Sequence, residues 1–298
     1  MERKYEFTDD TITAFGHVLH RIKALKDFGK VEKGQIGGWV ETEDNLSQYD
    51  NCWIYKNACA YGNSRIYGNA RLCNNACVYE YAQIYDNASI NENARIHGRA
   101  EVFGNAIISN EALVSENAKI YGNAEVYGKS EVYSNAKVHG DALVYGDALV
   151  YGDAEITAKA QVFGNALILG KACLYGYTKV YGKAMITGNA CISENSKVYD
   201  HAQISEDVKV YGDAEICGNA NIVGESNIYN NRGYITFRNM WCDDDYFTWT
   251  KDDDMWHYQG LYLTSEELKA KAYEIGERNG KFFDAAIEYT CKIKELDE

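Results

Sequence analysis

The side chains able to do chemistry are few and scattered. The six histidines are His17, His20, His97, His139, His201 and His257. Each could act as a general base or a metal ligand near neutral pH. No Ser/His/Asp order can be argued from their spacing. Two acidic triplets, Asp243-Asp244-Asp245 and Asp252-Asp253-Asp254, lack the spacing and the glycine of a calcium loop and read as solvated turns. Cys59 and Cys77 share one spacing with Cys173 and Cys191, and both pairs read as outward free thiols rather than a metal site. Lysines recur near aromatic rings: Lys119, Tyr121, Lys137 and His139, then Lys179, Tyr181, Lys197 and Tyr199. Such a set could hold a phosphate while a base or sugar stacks on a ring. The simpler reading is a ladder of rings stabilising a sheet.

What must position these residues is a repeat of six. From Ile54 to Ile228 every sixth residue is Ile, Val or Leu, with Ala60 the one weak member of 30. Four places after each comes a small residue, Ala at 23 of 29 positions from Ala58 to Ser226. Seventeen of the 26 glycines fall in the turn between them. The unit is seen in Val126-Tyr127-Gly128-Lys129-Ser130-Glu131. Alternation places the aliphatic and the small residue inward and their neighbours outward. Gly-Asn or Gly-Asp supplies a corner at positive φ. Such a unit buries its apolar side only by stacking on copies of itself. Any G-x-G match is a by-product of the corners, not a phosphate loop.

The pattern resembles the hexapeptide-repeat, left-handed parallel β-helix family over Cys52 to Tyr229, well over half of the chain. The resemblance implies three sides per coil, three hexads per coil, and the left hand. The two members of each cysteine pair then stand one coil apart. The expected fold is mainly β: a single-stranded, three-sided parallel β-helix of about ten coils, roughly 50 Å long at about 4.8 Å per coil. Arg21-Ile22-Lys23-Ala24-Leu25-Lys26-Asp27-Phe28 and Gly37 to Ser47 resemble the start of hexapeptide-repeat proteins carried by phages and prophages, often labelled putative transferases. Transferases of the family use a histidine at a subunit interface and a loop thrown out of the coil. Here 30 hexads run without an insertion. His97 and His139 take the outward slot otherwise held by Tyr, and His201 a corner. Seven hexads apart, His97 and His139 fall on different sides and roughly 11 Å apart along the axis, beyond a shared metal at about 2 Å per bond.

The ends break the period. Residues 1–51 are expected to cap the first coil with strands, as in Val18 to Leu25. Residues 52–229 form the helix, and residues 230–298 a small α+β module. Strands are expected over 234–263, with Lys251-Asp252-Asp253-Asp254 as a hairpin turn. Thr264-Ser265-Glu266-Glu267 is a capping box opening a helix striped by Leu268, Ala272 and Ile275. Asn279-Gly280 is expected to break it, with Phe282, Ala286, Tyr289, Ile293 and Leu296 striping a second. Four of five tryptophans, Trp39, Trp241, Trp249 and Trp256, lie outside the repeat.

Composition excludes several classes. Lys plus Arg is 30 and Asp plus Glu 44, a formal charge of −14. That balance argues against general nucleic-acid binding and against docking on anionic membrane. No apolar window spans a bilayer, and no signal peptide is expected. Nine cysteines without a framework spacing read as reduced thiols in a cytoplasm, which the phage-like resemblance implies is that of a bacterial host. Proline is absent, so every residue has an N–H to give to a ladder.

One expected side carries Leu113, Tyr133, Leu149, Tyr151, Leu167, Leu169 and Met185 as a contiguous apolar strip, which predicts a homo-oligomer, dimer or trimer, through that face. The expected function is a non-catalytic, oligomeric β-solenoid that needs no cofactor and no metal. By its phage-like start it would bind or inhibit a host component, either a basic defence protein or a small nucleotide signal. The alternative is a hexapeptide-repeat acyltransferase.

Overall fold

Why the repeat becomes a parallel β-solenoid is visible in any of its rungs. The computed structural model describes residues 3–239 and 245–297. The chain divides into two compact units, Met1–Asn165 and Ala166–Glu298. Trp241, Asp243 and Asp244 lie outside the described residues. In both units the hexads are two-residue strands, from Trp53–Ile54 to Gln161–Val162 in the first and from Leu167–Ile168 to Asn227–Ile228 in the second. The second residue of each strand is the aliphatic one. Val126, Val144 and Val162, like Ala124, Ala142 and Ala160, are wholly buried.

Within each unit a strand pairs in parallel with the strand three hexads on, so three columns of strands form three sides. In the first unit one column carries Cys59, Cys77, Arg95, Leu113, Glu131 and Leu149 outward. A second carries Arg65, Gln83, Glu101, Lys119, Lys137 and Glu155. A third runs from Trp53 to Gln161. Backbone N–H groups reach carbonyls of the next coil, as from Lys119 to Ala136 at 2.9 Å and from Tyr121 to Val138 at 3.0 Å. A proline would delete such a bond.

The corners need positive φ. Gly128 has φ +79°, and a Cβ there would lie 2.7 Å from the Gly146 carbonyl oxygen. Where glycine is missing, the side chain compensates. Glu80, at φ 59°, accepts from the Gly98 N–H at 2.8 Å, and Asn110, at φ 60°, from the Gly128 N–H at 3.3 Å.

Both ends are covered, as an edge of unpaired strands requires. In the first unit β1 (Tyr5–Ala14) and β2 (His17–Ala24) form an antiparallel hairpin, and β2 pairs with β3 (Ile36–Val40). β3 then pairs in parallel with Cys59–Ala60, so the cap continues one side of the solenoid. Lys4 is buried beneath it, its Nζ donating to the carbonyls of Tyr49 and Cys52, both at 3.0 Å.

In the second unit four antiparallel strands, Tyr234–Asn239, Asp245–Thr250, Met255–Tyr258 and Leu261–Leu263, form a sheet. One face, with Phe247, Trp249, Trp256 and Tyr258, packs on Leu268, Ala272, Phe283 and Ala286. The other meets the last rungs: the Asn221 N–H reaches Thr248 Oγ1 at 3.0 Å, the Asn227 N–H reaches Asp252 Oδ2 at 3.0 Å, and the Ser226 hydroxyl donates to Asp253. The aspartate turn is therefore an anchor as well as a solvated turn, Asp252 and Asp254 being exposed and Asp253 half-buried. Asp253 also accepts from Thr250 at 2.6 Å and Tyr262 at 2.7 Å.

α1 (Ser265–Ile275) opens on the expected capping box, Thr264 with Glu267. The expected break at Asn279-Gly280 is corrected. Gly276, at φ +155°, separates α1 from α2 (Glu277–Asp297), and Asn279 and Gly280 lie inside α2. Asn279 is buried, accepting from Asn239 at 2.7 Å. Gly280 lets the Tyr273 ring approach to where a Cβ would be 2.5 Å away. The buried stripe is correspondingly offset to Phe283, Ala286 and Thr290, leaving Ile275, Tyr289 and Leu296 exposed.

Candidate functional site

Each outward side chain within a column meets the one eighteen residues away, and this decides what the candidate residues can do. In the first unit Lys119 and Lys137 are register neighbours, and Tyr121 and His139 stack beside them. The ring ladder runs Tyr67, Tyr85, Phe103, Tyr121, His139, with centroids 4.5 to 4.9 Å apart and planes within 4° of parallel. The ring faces are spent on one another, so solvent meets ring edges. Burial pushes the Tyr121 phenol up.

Charges are matched across coils. Lys119 Nζ lies 2.8 Å from Glu101 Oε1. His139 Nε2 lies 2.7 Å from Glu155 Oε1, and Thr157 Oγ1 lies 3.1 Å from His139 Nδ1. The spacing rule missed this Thr/His/Glu trio because its members stand about one coil apart in sequence; a search at that offset finds it. The trio sits on a flat rung whose N–H groups serve the ladder, as from His139 to Ile156 at 2.9 Å, rather than converging on an oxyanion. A shallow groove of about 630 Å³ beside this side is lined by Arg65, Tyr81, Arg99, Glu101 and Lys119.

In the second unit Lys179 and Lys197 are register neighbours, and Tyr181 and Tyr199 stack at 4.9 Å. Lys197 bonds Glu215 at 2.5 Å, which raises the lysine's pKa. Tyr199 is pushed up, first by its hydrogen bond to the Cys217 thiol and then by desolvation. The structure thus brings each set of four together within its own unit.

The apolar strip is less continuous than expected. In the first unit Glu131 stands between Leu113 and Leu149, while Tyr133 and Tyr151 stack beside that column at 4.8 Å. In the second unit Leu167 abuts Met185, whose next neighbour is Gln203. Leu149, Tyr151, Leu167, Leu169 and Met185 are all half-buried. A polar ladder was also missed, because asparagine reads as a turn-former. Asn51, Asn69, Asn87, Asn105 and Asn123 each donate to the next carboxamide or, last, to Asp141, at 2.8 to 3.1 Å.

Cys59 and Cys77 are free thiols but are not exposed. Their sulfurs lie 2.7 Å apart beneath Leu19, Trp39 and Tyr61. His17 Nδ1 lies 2.8 Å from Glu41, whose other oxygen accepts from the Gly62 N–H at 2.7 Å. The bond to His17 is the main cause holding the Glu41 carboxyl below its usual range. Among the described residues no three His, Cys, Asp or Glu side chains gather to hold a metal. No described helix is long and apolar enough to cross a membrane.

A family model described as YdcK Beta solenoid repeat matches residues 82–98, about one coil of the first unit. No curated protein matches the chain.

Proposed function

We propose that the chain is a non-catalytic β-solenoid scaffold that binds a partner through its outward sides and acts as a homo-oligomer. The observation that carries this reading is the cross-coil locking of the outward columns. Lys119 with Glu101, His139 with Glu155, and Lys197 with Glu215 hold side chains in one geometry before any partner arrives. A pre-organised surface loses little side-chain entropy on binding. With a formal charge of −14, the complementary partner is basic. The finer reading is a phage or prophage accessory protein acting in the bacterial cytoplasm on a host component. Its support is the resemblance of residues 21–28 and 37–47. A basic nucleic-acid-binding defence protein fits the charge better than a nucleotide signal, because the ring faces are already stacked.

The test is capture from a bacterial lysate on immobilised chain, read by mass spectrometry across a salt series. One basic protein retained at low salt and confirmed with purified components supports the proposal. Acyl transfer from acetyl-coenzyme A by the same preparation, abolished by His139→Ala, overturns it in favour of a hexapeptide-repeat acyltransferase.

A further inference from the structure

Cys59 and Cys77 are direct register partners on adjacent parallel strands. Neighbouring strands stand about 4.8 Å apart, inside the roughly 4.4–6.8 Å window of Cα separations that a disulfide spans. Their sulfurs already lie at 2.7 Å, inside the contact distance of two unbonded sulfurs. The β1–β2 hairpin covers the pair, with Leu19 against it and Phe15 stacked on Tyr61 at 5.4 Å. The cover is incomplete on one side. A groove of about 680 Å³ opens on Cys77, and Phe15, Tyr79, Arg95, Glu111 and Lys129 help to line it. Cys59 does not line that groove.

We infer that Cys59 and Cys77 are a thiol–disulfide exchange site for a small zwitterionic peptide disulfide of the glutathione class, with Cys77 the attacking sulfur and Cys59 the resolving one. Arg95 and Lys129 suit the carboxylates of such a molecule, and Glu111 suits its ammonium group. Arg95 is also the register neighbour of Cys77. The Cys77 thiolate attacks one sulfur of the disulfide; a Cys77–ligand bond forms, and one thiolate leaves and takes up a proton. The Cys59 thiolate then attacks Cys77 Sγ, forming the Cys59–Cys77 bond and expelling the second thiolate. Two electrons pass from the cysteine pair to the peptide disulfide, giving two peptide thiols. The hydrogen bond between the two thiols, then one to Tyr61 and the Arg95 guanidinium, hold the Cys77 thiol below its usual range against the burial that raises it. The same thiol–thiol hydrogen bond and burial push Cys59 up. The thiolate is the reactive form.

The experiment incubates the full-length chain with glutathione disulfide, quenches in acid, alkylates and maps the peptides. The expected result is one linked pair through Cys59 and Cys77, formed about tenfold faster than any adduct at exposed Cys291. Cys59→Ser, with its fold checked by circular dichroism, is expected to hold a single glutathione on Cys77. Arg95→Gln is expected to slow the reaction with glutathione disulfide but not with neutral hydroxyethyl disulfide. Both cysteines still open to alkylation in the unmutated chain, or glutathione retained there without ring closure, overturns the exchange. Equal slowing of both probes by Arg95→Gln overturns recognition of the peptide's charges.

Discussion

Tyr121 and His139, one coil apart, stack with ring centroids 4.5 Å apart and planes 3° from parallel. The contact is made by a register in which an outward side chain faces the one eighteen residues on. It turns a row of rings into a continuous column with no free face inside it. Recognition by base stacking is thereby confined to column ends, and the interior of a ladder contributes to stability first.

That contribution should depend on place in the ladder. Tyr145 stacks on both Tyr127 and Phe163, while Tyr127 stacks on Tyr145, with Ser109 in the slot one coil earlier. A stacked pair contributes about 0.5–1.5 kcal/mol beyond its buried area. Tyr145→Ser is therefore expected to destabilise the first unit by about 1 kcal/mol more than Tyr127→Ser. Urea titration of the two variants checks the difference, and equal costs would contradict it.

Val144 is wholly buried between Val126 and Val162. Val144→Asp places a carboxylate among aliphatic side chains with no partner. The expected loss is about 4 kcal/mol or more. Thermal melting reads it, and a melt near that of the unmutated chain would contradict the inward assignment.

The C-terminal sheet should weaken in mild acid. His257 is buried, with Nδ1 unpartnered, and burial pushes its pKa from 6.5 down to about 4, against the opposing pull of Asp253. Between those values the unfolded chain binds a proton that the folded one refuses, so stability rises with pH across that window. It is complete above pH 6.5 and falls as pH drops toward 4, by about 3 kcal/mol in all. Urea melts followed by Trp249 and Trp256 fluorescence at pH 7, 5.5 and 4.5 test this. His257→Gln should flatten the profile; an unchanged profile in that variant places the sensitivity elsewhere.

Two corner glycines separate backbone strain from stacking. Gly128 and Gly218 both sit at positive φ, but a Cβ on Gly128 meets the next corner's backbone while one on Gly218 meets nothing within 4 Å. Gly218→Ala is expected to cost about 1 kcal/mol. Gly128→Ala should cost clearly more, because the neighbouring corner must move. Calorimetric melting of both variants gives the comparison.

The half-buried leucines predict assembly. Leu149→Glu/Leu167→Glu is expected to convert a dimer or trimer to a monomer by light scattering at micromolar concentration. A monomeric unmutated chain would remove the oligomer from the proposal. Glu131 between Leu113 and Leu149 concentrates the expected contact around Leu149 and Tyr151 in the first unit.

How much could be read in advance follows from range. The aliphatic period of six set each rung and its inward side, because alternation and a corner glycine act within a few residues. The capping box of Thr264 and Glu267 was legible for the same reason. Burial of Cys59 and Cys77 was not, since it depends on Leu19 and Trp39 arriving from an aperiodic segment. The helix break moved to Gly276 because Asn279 and Gly280 are held in helix by Asn239 and Tyr273, contacts that no local propensity encodes. The charge pairs lay between. Lys197 and Glu215 are visible to anyone who counts by whole coils, and invisible to anyone who counts by single hexads.

That last difference gives the molecule two reading frames. Its interior is written in sixes and its surface in eighteens. Excising one hexad from the first unit would keep every aliphatic residue inside, yet it would slide each later side chain onto a neighbouring face. The Asn51-to-Asp141 chain and the Tyr67-to-His139 column would both be cut at the scar. Excising a whole coil would rejoin them. Length in such a chain can drift by duplication and slippage, but a gain or loss that preserves the face a partner touches comes in whole coils.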